Sequence, residues 1–362
     1  LGNHLIKIRF WLLALLDGEG SESSDFSDAP AELRPWLAAC RALQSQPAGL
    51  PEACRHNLPD WLAAALQASM AQQPQDFWPL AEALLQAAPL DLRVNAMKAK
   101  RPAVAAALAA SGIQTQETPW SPWGLRVAGK PRLAHLPAWQ QGLVQVQDEG
   151  SQLLALLTQA RRGQLVVDFC AGAGGKTLAL GAMMRGAGRL YAFDASAHRL
   201  QGLQPRLARS GLGNVHPAAI AHERDARLNA LQGKADAVLV DAPCSGLGTL
   251  RRAPGLKWRT RPEDIARLAE QQFSIAQSAA RLVKPGGRLV YATCSLLPQE
   301  NEAVAQALSN ALPGFAPLHA GDVLAAAKVP QAARLTTEAG HLRLWPHLHG
   351  TDGFFAAVWQ RR

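Results

Sequence analysis

Cysteine is scarce in this chain of 362 residues, and no two cysteines form a CxxC pair. The five cysteines are Cys40, Cys54, Cys170, Cys244 and Cys294. An odd number at wide spacing argues against a disulfide framework and a zinc site, and favours a reducing, cytoplasmic compartment. Free cysteines are most often small buried apolar residues, which is the only interpretation we give to Cys40 and Cys54.

The N-terminal region lacks an apolar run of the length that spans a membrane, since Phe10 to Leu16 is too short. The residues after it lack the small-residue cleavage site of a signal peptide, so a core helix is expected over His4 to Leu16. Residues 17–30 are rich in Gly, Ser, Asp and Glu, which predicts a flexible linker.

Acidic residues are in deficit: 28 Asp and Glu stand against 37 Lys and Arg, and the net charge is +9. This excess favours an anionic partner, of which nucleic acid is the commonest, although a merely basic soluble protein is the alternative. The hydrophobic share of 48% allows a sizeable core. The length suits one large domain with a smaller one, and we expect a monomer that binds no metal.

Residues 31–110 have a helical pattern, with apolar residues three and four apart over Leu58 to Ser69 and Asp76 to Ala87. Prolines and glycines in residues 112–136 predict short strands and turns. From Gln147 onward, strands and helices alternate, which predicts an α/β fold with a doubly wound, mostly parallel, seven-stranded sheet. The pattern places six of these seven strands, at Leu165–Phe169, Leu190–Asp194, Val215–Ala219, Ala237–Asp241, Arg288–Thr293 and Gly353–Gln360.

A glycine-rich turn, Cys170 to Thr177, follows the first of these strands and suits close approach of a ligand. It is not a Walker phosphate loop, because only two residues separate Gly172 from Gly175. Asp194 ends the next strand, where a carboxylate can bind both ribose hydroxyls of an adenosine cofactor. The alternative is that Asp194 caps a helix. Asp225 is placed to reach the adenine amino group, or it is a solvated loop charge.

Two cysteines follow neighbouring strands, in the segments Asp241–Gly246 and Thr293–Ser295. Their strand ends should face one crevice, so each cysteine is a candidate nucleophile. A thiolate that adds to carbon 6 of cytosine activates carbon 5 toward methylation. Asp241 can bind the base edge or protonate ring nitrogen 3, and Lys176 can orient Asp241 or the base. This chemistry leaves open which cysteine attacks.

Residues 58–362 resemble the Sun/Fmu family of RNA cytosine-5 methyltransferases. The matching segments are Pro89–Asn95, Val146–Gln152, Asp168–Thr177, Asp241–Gly246 and Tyr291–Ser295. The resemblance implies a Rossmann-like class I methyltransferase fold, S-adenosyl-L-methionine as cofactor and bacterial 16S ribosomal RNA as substrate. It also implies that Cys294 attacks and that Cys244 assists product release. The family often has proline where Ala173 stands.

The expected site therefore has two overlapping parts. Its catalytic residues are Cys294, Cys244, Asp241 and Lys176. Its cofactor-binding residues are Cys170, Ala171, Gly172, Ala173, Gly174, Gly175, Lys176, Asp194, Arg199, Asp225 and Asp241. The expected domains are a helical remnant with a linker (1–57, short for a whole RNA-binding domain), a small α+β RNA-binding region (58–139) and the methyltransferase domain (140–362).

Two basic clusters are predicted to contact RNA, although a solvated loop is the alternative for the first. The first cluster is Arg251, Arg252, Lys257, Trp258, Arg259 and Arg261, and the second is Arg93, Asn95, Lys98, Lys100 and Arg101. A base within folded RNA would have to be splayed out to reach Cys294. The alternative functions are a tRNA cytosine-5 methyltransferase and an inactive RNA-binding assembly factor. An amino-group methyltransferase is disfavoured, because Asp241-Ala242-Pro243-Cys244 replaces the Asn/Asp-Pro-Pro-aromatic segment.

Overall fold

The computed structural model describes residues 34–35 and 52–362. The helix and linker expected before residue 31, together with Trp36 and Cys40, lie outside the described residues, as does the side chain of Cys54. The chain divides into two units, with the boundary between Asp60 and Trp61. Within the described ranges, no helix is both long enough and apolar enough to cross a membrane.

The helices alternate with the strands along most of the chain. They are α1 (Glu52–His56), α2 (Asp60–Ser69), α3 (Phe77–Leu85), α4 (Arg101–Ala110), α5 (Pro137–Gln140), α6 (Glu149–Leu156), α7 (Gly175–Met183), α8 (Ala197–Gln201), α9 (Gln204–Ser210), α10 (Leu256–Arg259), α11 (Pro262–Ala280), α12 (Glu302–Ala311), α13 (Ala320–Ala326) and α14 (Pro346–His349). Residues 197–210 contain two helices, α8 and α9, because Pro205, in the first turn of α9, has no N–H to continue α8.

The strands form two sheets. They are β1 (Leu90–Val94), β2 (Thr115–Glu117), β3 (Gly124–Val127), β4 (Val144–Val146), β5 (Leu165–Asp168), β6 (Arg189–Asp194), β7 (Val215–Ala219), β8 (Ala235–Asp241), β9 (Val283–Thr293), β10 (Phe315–Leu318), β11 (Leu342–Leu344) and β12 (Phe354–Arg361).

The larger sheet has the strand order β10-β12-β9-β8-β5-β6-β7, and β11 pairs with β12 as an eighth strand. The five strands from β9 to β7 are parallel, whereas β10, β11 and β12 add antiparallel pairs. The predicted doubly wound, mostly parallel sheet is thus confirmed. Sequence patterns did not reveal the short strands β10 and β11.

Two apolar layers cover the larger sheet. Val166 of β5 and Leu239 of β8 belong to one hydrophobic cluster, while their chain neighbours Val167 and Val238 belong to the other. Successive residues of a strand point to opposite faces, so a strand buried on both faces is apolar throughout. This burial explains why these strands were visible in the sequence as short apolar runs.

The smaller sheet, with the order β2-β3-β1-β4, is antiparallel. The helical pattern predicted across residues 31–110 is wrong at β1. Leu92 and Val94 pack into the core beneath α4, while Asp91 and Arg93, also buried, alternate with them on the opposite face. This alternation has a period of two and indicates a strand, but it is short and lies between helices.

Residues 284–287 form a bulge within β9. Ala235 pairs with Val283, but Ala237 pairs with Arg288, so the intervening residues of β9 have no ladder partner. Gly286 has a φ of +73°, which glycine adopts without the steric cost that other residues meet. The bulge lies at the end of the strand opposite Cys294 and leaves the register toward Thr293 intact.

Candidate active site

The glycine-rich turn connects β5 to α7 and faces Asp194 at the end of β6. Gly172 and Gly174 have φ values of +54° and +84°, and a Cβ at Gly174 would lie 2.1 Å from Leu203 Cδ1. The N–H of Gly172 donates a 2.8 Å hydrogen bond to Asp194 Oδ2. The sequence therefore needs glycine here both for backbone conformation and for close packing.

The Asp194 carboxylate is buried and accepts a second bond, 2.7 Å long, from the N–H of Ser196. Ser196, rather than Asp194, caps α8 by accepting a bond from the N–H of Arg199. The Arg199 Nε lies 3.6 Å from Asp194 Oδ1 on an exposed side chain. Asp194 thus orders the glycine-rich turn, and the residue that caps α8 is Ser196, two positions further along the chain.

The Asp225 carboxylate is hydrogen-bonded within its own loop. Its oxygens accept bonds from the backbone N–H groups of Ala221 (2.9 Å) and Arg227 (3.0 Å). These bonds, with the Arg227 guanidinium, lower the pKa of Asp225 to about 2. Asp225 is therefore ionised at neutral pH, and contact with adenine stays a prediction.

Asp168, the last residue of β5, is a site residue that the sequence reasoning did not single out. It is fully buried, and Thr177 Oγ1 donates a 2.6 Å bond to its Oδ2. Its Oδ1 has no hydrogen-bond partner in the described part of the chain. Burial raises the pKa of Asp168 to about 7, against the lowering effect of Thr177. A carboxylate directly before a glycine-rich turn was the available signal.

Lys176 connects the glycine-rich turn to the end of β8. Its Nζ lies 2.6 Å from Asp241 Oδ2, as the sequence predicted for one of its two roles. Burial lowers the pKa of Lys176, but the charge and hydrogen bond of Asp241, with a contribution from Cys294, raise it above its ordinary value. The site therefore holds an ammonium group that is charged at neutral pH.

The two predicted catalytic cysteines are in contact. Cys244 Sγ lies 3.4 Å from Cys294 Sγ and also 3.4 Å from the backbone nitrogen of Cys294. The hydrogen bond to Cys294 and then burial raise the pKa of the Cys244 thiol well above its usual range. Burial, together with nearby carboxylates, also raises the pKa of Cys170, which therefore remains a thiol within the turn.

The backbone also links the two cysteine loops, through Gly248. Its N–H donates a 2.8 Å bond to the carbonyl oxygen of Cys294, and its own carbonyl accepts one from Gly353 N–H. A Cβ at Gly248 would lie 2.1 Å from the Gly353 oxygen. Sequence reasoning missed this residue, because its partners come from distant segments.

The first basic cluster is only partly available to a ligand. Arg251 and Arg252 form ion pairs with Asp352, and Arg252 also pairs with Asp148 at 2.8 Å. These carboxylates hold both side chains against the protein, and their contact with RNA stays a prediction. Lys257 is buried, whereas Trp258 is 60% exposed and Arg259 and Arg261 are also exposed.

The second basic cluster serves mainly to join the smaller sheet to the rest of the unit, and its role in RNA binding stays a prediction. Arg93 is buried, and its Nε donates to Gln147 Oε1 at 2.6 Å. Asn95 and Lys98 donate to backbone carbonyls, and Arg101 pairs with Glu117. Lys100 is exposed.

Residues 155–360 match the family of 16S rRNA methyltransferases RsmB/F, and residues 58–133 match the ferredoxin-like domain of RsmF/B-like methyltransferases. The chain belongs to the RsmB/F family of 16S rRNA methyltransferases. This membership confirms the resemblance seen in the sequence, and S-adenosylmethionine is the cofactor of the family. Across the described residues, no cluster of three or more His, Cys, Asp or Glu side chains could hold a metal ion.

Two bacterial relatives illustrate the similarity. A probable ribosomal RNA small subunit methyltransferase B of Bacillus subtilis is 35% identical over 271 residues, or 75% of this chain and 59% of the relative. A protein of the same name from Synechocystis is 34% identical over 309 residues, or 84% of this chain and 66% of the relative. The RsmB/F chain described here thus spans less than two thirds of either relative.

The fold is also that of solved methyltransferase structures. A methyltransferase homologue from Pyrococcus horikoshii superposes with a TM-score of 0.70 at 27% identity, covering 86% of this chain and 97% of that one. The predicted class I fold is therefore confirmed.

Proposed function

We propose that this RsmB/F family member transfers a methyl group from S-adenosylmethionine to carbon 5 of a cytosine in 16S ribosomal RNA, through a covalent bond between Cys294 and the ring. The observation that carries this proposal is the contact between the Cys244 and Cys294 sulfurs beside the Lys176–Asp241 ion pair. Two thiols and an acid–base pair in one crevice suit covalent activation of a pyrimidine. The names of the relatives support a ribosomal substrate.

The residues at the glycine-rich turn fit the cofactor. No atom lies within 4 Å of a Cβ built on Gly172, so the turn leaves open space there. The buried Asp168 Oδ1 has no partner within the described residues, and Asp194 keeps lone pairs for ribose hydroxyls. S-adenosylmethionine would supply an electrophilic methyl group on its sulfonium. Gly172, Asp194 and Asp168 would hold it, with Asp225 beside the adenine.

Cys294 begins the reaction by adding its thiolate sulfur to carbon 6 of cytosine. The charged Lys176 ammonium interacts electrostatically with Cys294, which contributes to the raised pKa of Lys176. The electron pair displaced from the carbon 5–carbon 6 double bond makes carbon 5 nucleophilic. Asp241 lies at the same strand end, where its carboxyl group binds the base edge or protonates ring nitrogen 3 as charge develops there.

Product release requires transfer of the carbon-5 proton to solvent water acting as the base. The electron pair of that carbon–hydrogen bond re-forms the carbon 5–carbon 6 double bond, and the carbon–sulfur bond breaks to release Cys294 as a thiolate. The Cys244 thiol, 3.4 Å from the Cys294 sulfur, stabilises this leaving thiolate by donating a hydrogen bond. Its raised pKa keeps it protonated for this purpose. Without Cys244 the adduct should therefore accumulate.

The remaining roles follow from the same proposal. The protein acts in the cytoplasm as a monomer, with residues 58–139 assisting RNA binding and residues 140–362 catalysing transfer. Trp258 on α10, with exposed Arg259 and Arg261, contacts RNA near the Cys244 loop. α10 lies against this loop, since a Cβ at Gly246 would be 3.2 Å from Leu256 of α10. The target base must be splayed out of any helix to reach Cys294.

The test is transfer of labelled methyl groups to bacterial RNA by the wild type and by Cys294→Ala and Cys244→Ala. We expect label on carbon 5 of cytosine in 16S rRNA, no label with Cys294→Ala, and a protein–RNA adduct with Cys244→Ala. Full activity of Cys294→Ala would refute the choice of nucleophile. Label in tRNA alone would refute the ribosomal substrate, and RNA binding without any transfer would favour the assembly-factor alternative.

A further inference from the structure

Glu300 is a fully buried carboxylate that bridges the two cysteine loops. Its Oε1 accepts hydrogen bonds from the backbone N–H of Ser245, at 2.8 Å, and from Gln272 Nε2 of α11, at 3.0 Å. Both donors are N–H groups, so the direction of these bonds is fixed. The carboxylate therefore holds the residue directly after Cys244.

The other oxygen holds the residue directly after Cys294. Oε2 of Glu300 accepts bonds from Ser295 Oγ and, at 2.6 Å, from Ser245 Oγ. Ser295 Oγ in turn accepts a 3.1 Å bond from Leu297 N–H, which leaves its proton for Glu300. One carboxylate thus ties together the loops that follow β8 and β9.

We propose that Glu300 is a positioning residue for methyl transfer, which fixes the separation of the Cys244 and Cys294 sulfurs by binding Ser245 and Ser295. The proposal rests on the function proposed above. A carboxylate is suited to this role because it accepts four hydrogen bonds at a planar, rigid group. The sulfurs themselves make one weak contact, so their separation must be set by the surrounding loops.

The charge of Glu300 also distinguishes the two cysteines. Glu300 contributes to the raised pKa of Cys244, after the larger effects of the Cys294 hydrogen bond and burial. The ammonium group of Lys176 interacts instead with Cys294. Negative charge near Cys244 favours its thiol form, which is the form that the proposed release step requires.

The experiment compares Glu300→Ala, Glu300→Gln and the matched control Glu270→Gln, which removes a carboxylate from an exposed position on α11. The kcat for labelled methyl transfer and the Kd for S-adenosylmethionine are measured for each. The pH dependence of iodoacetamide modification of Cys244 is measured separately by mass spectrometry. This second readout needs no RNA, so it remains informative if the wild type methylates nothing and the proposed function fails.

We expect Glu300→Ala to lose about 100-fold in kcat with unchanged affinity for S-adenosylmethionine, because small displacements of reacting groups cost this much. Glu300→Gln keeps the shape but not the charge, so Cys244 should be modified at lower pH than in the wild type or in Glu270→Gln. Wild-type kcat in Glu300→Ala, or parallel loss of cofactor affinity, would overturn the proposal. If Glu300→Ala does not fold, an unchanged Cys244 profile in Glu300→Gln overturns it.

Discussion

Lys176 Nζ lies 2.6 Å from Asp241 Oδ2, and this ion pair joins the first turn of α7 to the end of β8. The glycine-rich turn and the first cysteine loop belong to these two elements, so the pair couples the proposed cofactor side of the crevice to its catalytic side. Because the lysine side chain is only 12% exposed, its charge is poorly screened by water.

Replacement of Lys176 by methionine should reduce kcat for methyl transfer by about 100-fold, since an electrostatic group aimed at a reacting centre contributes on this scale. Lys176→Arg keeps the charge and should retain more activity. The raised pKa of Lys176 means that it stays protonated through neutral and mildly alkaline pH. Measurement of kcat for both variants is the check, and equal activity of Lys176→Met and wild type would contradict the assignment.

Asp168 should make stability depend on pH. Its pKa is about 7 in the fold against an ordinary value of 3.8, so between these values the folded chain binds more protons at this site than the unfolded chain. Stability contributed by the protonated form is complete below about pH 4 and is lost as pH rises through 7. Asp168→Asn cannot ionise, so its stability relative to the wild type should increase across this range.

Urea unfolding of the cofactor-free protein at several pH values measures this difference. Thr177→Val serves as the companion variant, because it removes the hydrogen bond that lowers the pKa of Asp168 and should extend the pH-dependent loss. A constant difference between Asp168→Asn and the wild type from pH 4 to 8 would show that Asp168 does not titrate there.

The parts of the site that the sequence predicted are those encoded locally. The glycine-rich turn, Asp194 and the two cysteines each follow an apolar strand, and parallel strand ends meet at one edge. Glu300 was not predictable in this way, because its partners Ser245 and Gln272 come from other segments. Such contacts arise only when the tertiary fold brings distant residues together.

The basic residues show a second limit of the sequence, because it does not reveal which of them form ion pairs within the fold. Arg251 and Arg252 were expected to face RNA, but Asp352 and Asp148 are placed by the fold to pair with them. Charge in a sequence does not reveal its counter-charge across the fold. Trp258, in contrast, is 60% exposed, and its contact with RNA stays a prediction.

Gly248→Ala should impair catalysis through Cys294. The new Cβ would lie 2.1 Å from the Gly353 oxygen and 2.8 Å from the Cys294 oxygen, so backbone must move. We expect a loss of about 1–3 kcal/mol in the free energy of unfolding, as for other overpacked sites, and a reduced kcat. Gly213→Ala is the control, since no atom lies within 4 Å of a Cβ there. Equal kcat for the two variants would mean that Gly248 does not hold Cys294.

Trp258→Ala should weaken RNA binding without affecting the fold. The indole is 60% exposed on α10, beside the Cys244 loop, and stacking of a base on an aromatic ring contributes about 1–3 kcal/mol. A loss of about 10-fold or more in RNA affinity is therefore expected, with partial recovery in Trp258→Phe. The control is Leu348→Ala, because Leu348 is 54% exposed on α14 and lacks a stacking surface. Filter-binding titration of 16S rRNA at fixed salt measures the effect, and identical Kd values for Trp258→Ala and the control would exclude base stacking at this position.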